Sequence, residues 1–448
     1  MYSDTPVESS SLTAVVDTEK RDEKAAGIQT VELETSNKGS QTVLSNDSQS
    51  QTNAGDYNAE PSCDMEKLAT FLKRIYPAIL SELKDTEEIS KNAATNEVAK
   101  EESSIAKYRV GKIITYLGKA VSSISWNSTR KLLAIAYCES VVYESWCTHE
   151  GIVNIYDTFD GACAAHTYTK GTSSCPKSIS FHPTKPNVLA AGLANGNLVL
   201  WDLDGEDYTV SQKDKELKHT DNINTVLWSK DGRCCITAGK DGRIIFWTIQ
   251  GNDLNGTSGY FIKSVYCSAE LSCKEQSAEI LSVDFWWQDK NQEFVVAAAG
   301  GTVLHCSTSE TVEVSSMMPQ YLDPVVMNYE PHSGIITDVR CNGDDTFATC
   351  GINSEIHVYK RKIATPIHII HTDFALLGIE WIGNPVEMIA CWGSSPKIYF
   401  YDVGTYEKLD YNLSGSEADS VITSASFAKS RFVVAGTRKG TTILWSAS

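Results

Sequence analysis

The sequence predicts an all-β fold, a seven-bladed β-propeller, behind a largely disordered N-terminal arm that carries a short amphipathic helix. Two observations lead there. One strand–turn–strand–turn–strand pattern recurs seven times from about residue 110 onward. Before residue 108 the chain is largely polar and acidic, apart from one short amphipathic island.

The arm comes first. Residues 1–60 hold eleven acids and four bases, with Tyr2 and Tyr57 as their only aromatics. Such a segment buries too little apolar surface to offset the entropy of ordering, so residues 1–63 are expected to be disordered alone. The exception is 64–85, DMEKLATFLKRIYPAILSELKD. Met65, Leu68, Leu72, Ile75, Ile79 and Leu83 recur every three or four positions, with Phe71 beside them, which is the period of an amphipathic helix. Asp64 is the candidate N-cap, although Lys67 is not the acid or amide of a capping box. Pro77 interrupts the interior, which predicts a kink or two short helices. The helix face is a candidate for docking into a partner's groove or for packing on the chain's own propeller. Residues 86–107 return to polar linker.

From 108 to 448 the period shortens to that of strands. The last strands of the repeats align as GIVNIYD, NLVLWD, RIIFWT, TVLHCS, EIHVYK, KIYFYD and TTILWS. Their marker position is Tyr156, Trp201, Trp247, His305, Tyr359, Tyr401 and Trp445, with gaps of 42 to 58 residues. A blade cannot bury both of its faces alone, and a ring of blades covers them all. An unclosed ring would leave a free edge. The final repeat ends at a third strand, and GKIITYL, residues 111–117, precedes the first repeat. That segment is predicted to complete the last blade.

The repeats resemble the WD-repeat family. The likeness rests on Tyr156-Asp157, Trp201-Asp202 and Tyr401-Asp402 at strand ends and on the Lys240-Asp241-Gly242 turn. In the third repeat His219, Asp241 and Trp247 fall where that family places its internal hydrogen-bond network, with Thr237 as a hydroxyl member. Buried polar groups need partners, so this set is read as a structural lock and not as a catalytic triad. His305 in the fourth repeat and Lys360 in the fifth depart from the pattern, so those two blades are expected to be less rigid.

Three short stretches recur in the arm: GIQT (27–30), GSQT (39–42) and QSQT (49–52). Their cores are Ile28-Gln29-Thr30, Ser40-Gln41-Thr42 and Ser50-Gln51-Thr52. An extended peptide of this kind adds a strand to a partner's sheet edge, and repetition makes later binding events intramolecular. These stretches look like ligands of the hub-type dynein light chain. FLKRIYPAILSEL (71–83) looks like the helix that binds a roadblock-type light chain.

Light-chain peptides, a partner helix and a propeller, in that order, resemble the dynein intermediate chains. SISWNST (123–129) and FHPTKPNVLAAGLANGNLVLWDL (181–203) are similar to their opening repeats. The insertion YCESVVYESWCTHEG (137–151) and the short arm look most like the smaller intermediate chain of cytoplasmic dynein 2, the intraflagellar-transport dynein. The resemblance implies a non-catalytic subunit whose propeller holds a dynein heavy chain. Its arm pairs with light chains and so joins a second intermediate chain. It also implies a place in the cytoplasm and cytoskeleton and, in cilia, at the base and along the axoneme. Faces bearing the long loops 137–150, 250–278 and 307–331 are the expected heavy-chain contacts.

Other classes fit less well. A net charge of −18 without a basic cluster argues against nucleic acid. No apolar run reaches membrane-spanning length, and MYSDTPVESSSLTAVVD lacks the basic and apolar regions of a signal peptide. Thirteen cysteines without a paired framework suit a reducing compartment. The sequence has no P-loop, G-x-S-x-G or H-E-x-x-H, so neither a catalytic site nor a cofactor is expected. Cys147 and His149 are close, but no second pair stands at ligand spacing, so no metal is expected either. The alternatives are a WD-repeat ubiquitin-ligase receptor, a chromatin adaptor, or an axonemal or cytoplasmic dynein 1 intermediate chain. The Arg that often follows Trp-Asp in cullin receptors is missing: Leu203-Asp204 and Val403-Gly404 stand there.

Overall fold

In the computed structural model the described residues are 108–447, apart from 117, 140–146, 148, 160–161, 211–216, 268–276, 288–292, 316–317, 344, 384–385, 411–412, 415–417, 419 and 429–431. The Gln-Thr peptides and the 64–85 helix lie outside them.

Seven antiparallel sheets form a closed β-propeller. Each blade is built around a central strand that is mostly apolar, because both faces are covered. In the fourth blade, Glu293–Ala298 sends Phe294, Val296 and Ala298 toward the third blade, and Val295 and Ala297 toward the fifth. That is the two-residue period of a strand with a core on each side. The seven hydrophobic clusters each span one pair of neighbouring blades. One of them joins Val121, Leu133 and Tyr137 of the first blade to Val434 and Leu444 of the seventh, so the ring has no bare end.

The predicted marker strands are the third strands of the seven blades, from Gly151–Phe159 in the first to Thr441–Ala447 in the seventh. All seven marker side chains are buried. Closure is as the sequence predicts. Tyr108–Thr115 pairs antiparallel with Thr441–Ala447, from Tyr108 opposite Ala447 to Thr115 opposite Thr441. The seventh blade thus combines both ends of the domain. Gly300 and Gly301 make a tight turn between blade strands, at φ of 73° and 76°.

The innermost strands share a device that the repeat pattern does not reveal. Each has a register shift near its start, directly after the first paired residue in six blades and after the third, Val121, in the first blade. A bulge of this kind re-aims the extra side chain. In four blades that side chain donates a hydrogen bond to the next blade's backbone. Ser122 Oγ reaches Pro176 O at 2.6 Å, and Asn224 Nδ2 reaches Ile280 O at 2.7 Å. Thr337 Oγ1 reaches Leu376 O at 3.1 Å, and Thr423 Oγ1 closes the ring on Val121 O at 2.6 Å.

Two stretches expected as loops contain outer strands. Within 250–278, Asp253–Phe261 is the outer strand of the third blade. Within 307–331, Val325–Asn328 is the outer strand of the fourth. Tyr321–Asp323 instead lies parallel against the third blade's outer strand, as does Thr209–Val210 farther along it. Outer strands are half-solvated and carry no marker aromatic, so their sequences read as loop. Gly259 permits the attachment: a Cβ there would stand 2.6 Å from Leu217 and 2.8 Å from the Tyr321 ring. The second blade keeps three strands of its own, with Tyr208 bridging to Leu200.

Candidate functional site

Three polar assemblies stand out among the described residues: buried networks inside blades, the lining of the central channel, and a cysteine–histidine cluster beside the first-blade insertion.

The structure brings together His219, Thr237, Asp241 and Trp247. Trp247 Nε1 donates to Thr237 Oγ1 at 2.8 Å, and His219 Nε2 lies 2.8 Å from the same oxygen. His219 Nδ1 lies 3.0 Å from Asp241 Oδ1. Asp241 also accepts the N–H groups of Thr220 and Arg243. One proton arrangement satisfies every member. Trp247 donates to Thr237, Thr237 donates to His219 Nε2, and His219 Nδ1–H donates to Asp241. Burial alone would favour the neutral carboxyl. The bonds from His219, Thr220 and Arg243 outweigh it and hold Asp241 below the usual carboxylate range. With both of its ring nitrogens engaged inside the blade, the imidazole has no substrate-facing edge. Thr237→Val would leave His219 Nε2 and Trp247 Nε1 without their shared partner. It is expected to cost about 2 kcal/mol, measurable by denaturant unfolding, while Thr237→Ser should cost less than half of that.

His305, whose departure from the pattern suggests a less rigid fourth blade, is held in a buried network of its own. It is fully buried, with Nδ1 2.9 Å from Tyr329 Oη and Nε2 2.7 Å from Glu293 Oε2. Burial lowers its pKa even though Glu293 pulls the other way. Glu293 also takes the Arg361 Nε–H at 2.7 Å and faces Lys362 Nζ at 3.2 Å. Arg361 and Lys362 follow the fifth blade's third strand, so this carboxylate fastens the fourth blade to the fifth. Sequence reasoning missed it because its members lie far apart in the chain. Arg361→Met is expected to destabilise by about 2 kcal/mol, since Lys362 and His305 still face the buried carboxylate. Glu293→Gln together with Arg361→Met should cost less than the two single changes added, as a double-mutant cycle would read.

The channel is a polar cavity of about 480 Å³ lined by the inner strands. Serines on the first two blades accept backbone N–H groups from the next: Ser123 from Ile179, Ser125 from Phe181 and Ser178 from Val226. On the opposite side three carboxylates share one cation. Arg340 lies 3.3 Å from Asp338 and 3.7 Å from Glu380. Asp284 takes the Cys341 N–H at 2.7 Å. Burial first, and repulsion from Asp338 second, push Asp284 up to about 6 and Glu380 up to about 7, against the pull of Arg340. The arrangement pairs charges across three blades and presents no activated nucleophile.

The third assembly joins Cys147 and His149, which the sequence notes as neighbours, to Cys175. The expectation of no ligand set counted spacings along the chain and so could not include Cys175. A second cluster, His332, Glu355 and His357, lies in the fifth blade. There His332 Nε2 meets Thr349 Oγ1 at 2.6 Å, and His357 meets Tyr359 Oη and Glu355, each at 3.1 Å. Those ring nitrogens are engaged in hydrogen bonds, in the manner of the His219 network.

Comparison with known proteins shows what the chain is similar to. A family model described as the IFT140 first beta-propeller matches residues 112–260. Cytoplasmic dynein 2 intermediate chain 2 of Mus musculus is 24% identical over 355 residues, which is 74% of this chain and 66% of the relative. Its Homo sapiens counterpart is 24% identical over 414 residues, 86% of this chain and 76% of the relative. The chain is similar to dynein intermediate chains along most of its length. A third dynein relative, dynein axonemal intermediate chain 2 of Homo sapiens, is 24% identical over 166 residues, 37% of this chain and 25% of its own length. The likeness to the two dynein 2 intermediate chains is thus at least twice as extensive as the axonemal one. The chain spans about two thirds of the mouse relative's length and about three quarters of the human one's.

Proposed function

We propose that this chain is a non-catalytic intermediate chain of a dynein motor, serving retrograde intraflagellar transport in cilia. The observation that carries the reading is the extent of its likeness to the dynein 2 intermediate chains. The human alignment covers 86% of the chain, more than residues 108–448 alone would fill, so it runs into the arm.

In this reading the propeller is the platform for a dynein heavy chain. A closed ring suits that role, because every blade face is already buried and surface loops and outer strands are left to recruit a partner. The added strands on the third blade's rim, Thr209–Val210 and Tyr321–Asp323, form a thickened edge. The Gln-Thr peptides at Ile28-Gln29-Thr30, Ser40-Gln41-Thr42 and Ser50-Gln51-Thr52 would bind the hub-type light chain. The helix face formed by Leu68, Phe71, Leu72, Ile75, Ile79 and Leu83 would bind the roadblock-type light chain. Light-chain dimers bound there would bring in a second intermediate chain. The chain itself performs no reaction.

Affinity purification of the tagged intact chain from ciliated cells tests this. The expected result is co-purification of a dynein 2 heavy chain and both light-chain types, with the tagged chain at the ciliary base and on moving trains. Recovery of cullin adaptors or histones without dynein subunits would favour the other adaptor classes. Fixed axonemal placement would favour an axonemal chain.

A further inference from the structure

We propose that Cys147, His149 and Cys175 bind one zinc ion that fastens the segment ahead of Gly151–Phe159 to the entry of the second blade.

The ligand atoms of Cys147, His149 and Cys175 all lie within 4.8 Å of one another. Cys147 Sγ and His149 Nδ1 are 3.7 Å apart. A tetrahedral ion with Zn–S of about 2.3 Å and Zn–N of about 2.0–2.1 Å holds those atoms about 3.6 Å apart. Little movement is therefore needed to seat the metal. Two thiolates and one imidazole fill three positions of a tetrahedral zinc and leave the fourth to water, and soft sulfur ligands select this metal over magnesium or calcium.

The surrounding backbone is built to hold these positions. The Cys175 N–H points at Cys147 Sγ, 3.5 Å away, a bond that steadies a metal-bound thiolate. Ser174 Oγ donates to Cys147 O at 2.9 Å, and Thr172 Oγ1 donates to Ser174 O at 2.7 Å. Gly151, two residues after His149, packs so tightly on this turn that a Cβ would stand 2.2 Å from Pro176 Cδ. Cys175 is buried, and its carbonyl accepts the Ala194 N–H at 2.9 Å. The ligands come from two places in the chain: the segment before Gly151–Phe159 and the turn before Pro176–Phe181. A metal there ties two blades at one point.

Binding balances simply. The two thiols release two protons to solvent and the imidazole binds as its neutral form, so the loaded site carries no net charge. No oxidant is involved, and reducing conditions keep the sulfurs available.

The test uses the full chain purified under reductant with zinc supplied, followed by removal of loosely held metal. Elemental analysis should find about one zinc per chain. Cobalt(II) replacement should give the intense thiolate-to-metal charge-transfer and d–d bands of a tetrahedral sulfur-rich site. Cys175→Ser and His149→Ala should lower the zinc content at least about tenfold, while Cys234→Ser should leave it unchanged. Should a variant fail to fold, wild-type alkylation gives the answer instead: Cys147 and Cys175 should resist N-ethylmaleimide until a strong chelator is added. Zinc below about a tenth per chain, a Cys147–Cys175 disulfide in the reduced preparation, or alkylation indifferent to chelator would each overturn the proposal.

Discussion

Removing Tyr108–Thr115 is expected to cost the propeller on the order of 5 kcal/mol, a large part of a domain's usual stability. The strand pairs along nearly its whole length with Thr441–Ala447, and Ile114 and Val110 pack on the clusters that flank the seventh blade. Without it, Thr441–Ala447 becomes a long apolar edge open to strand addition. The melting temperature should fall by about 10 °C and the protein should associate, as circular dichroism and sedimentation would report. A monomer melting at the wild-type temperature would mean that the strand merely decorates the ring. Thr423→Val is the milder companion change, because it removes only the closing bond to Val121 O. It should cost about 1 kcal/mol.

The second large effect concerns His332. Burial, and then the His357 ring stacked on it at 3.7 Å, push His332 down to about 4. Glu355 and Asn353 face the pair and oppose the shift only in part. The ordinary imidazole value is about 6.5, so the unfolded chain binds this proton more readily than the folded one between about pH 6.5 and 4. A depressed folded pKa therefore contributes stability at neutral pH that is lost as pH falls through this window, roughly 3 kcal/mol in all. Asp284 and Glu380, whose values are raised, work in the opposite sense: acidification favours the folded state at those two groups. The total pH profile thus mixes both signs, and a comparison of variants isolates His332. The cost of His332→Gln, measured by urea unfolding, should be largest at pH 7 and shrink by about 3 kcal/mol by pH 4. An equal cost at both pH values would show that the ring titrates normally.

These two cases also mark what could be read in the sequence. Central and marker strands were legible because a blade buried on both faces leaves a continuous apolar run, as in Glu293–Ala298, and a bulky residue at one fixed place. Ring closure was legible because a final repeat ending at Trp445 lacks an outer strand and residues 111–117 supply one. The outer strands were not, since Asp253–Phe261 and Val325–Asn328 face solvent on one side and carry no marker. The inter-blade clamps were hidden for another reason: Ser122, Asn224, Thr337 and Thr423 are ordinary polar residues until a bulge turns them toward the neighbouring blade. Distance along the chain concealed the rest. Glu293 meets Arg361 across a blade junction, and Cys175 meets Cys147 only after a full strand hairpin has formed between them. His305 shows the opposite limit, because a departure from the repeat pattern proved to be an exchange of one buried network for another.

In the proposed function a closed platform would hold the motor and the arm would recruit light chains. The most direct measurement is quantitative co-purification by the full chain carrying Gln29, Thr30, Gln41, Thr42, Gln51 and Thr52 all changed to Ala. Hub-type light chain should vanish from the eluate while the heavy chain stays at its wild-type level. Loss of the heavy chain in parallel, or retention of that light chain, would contradict the division.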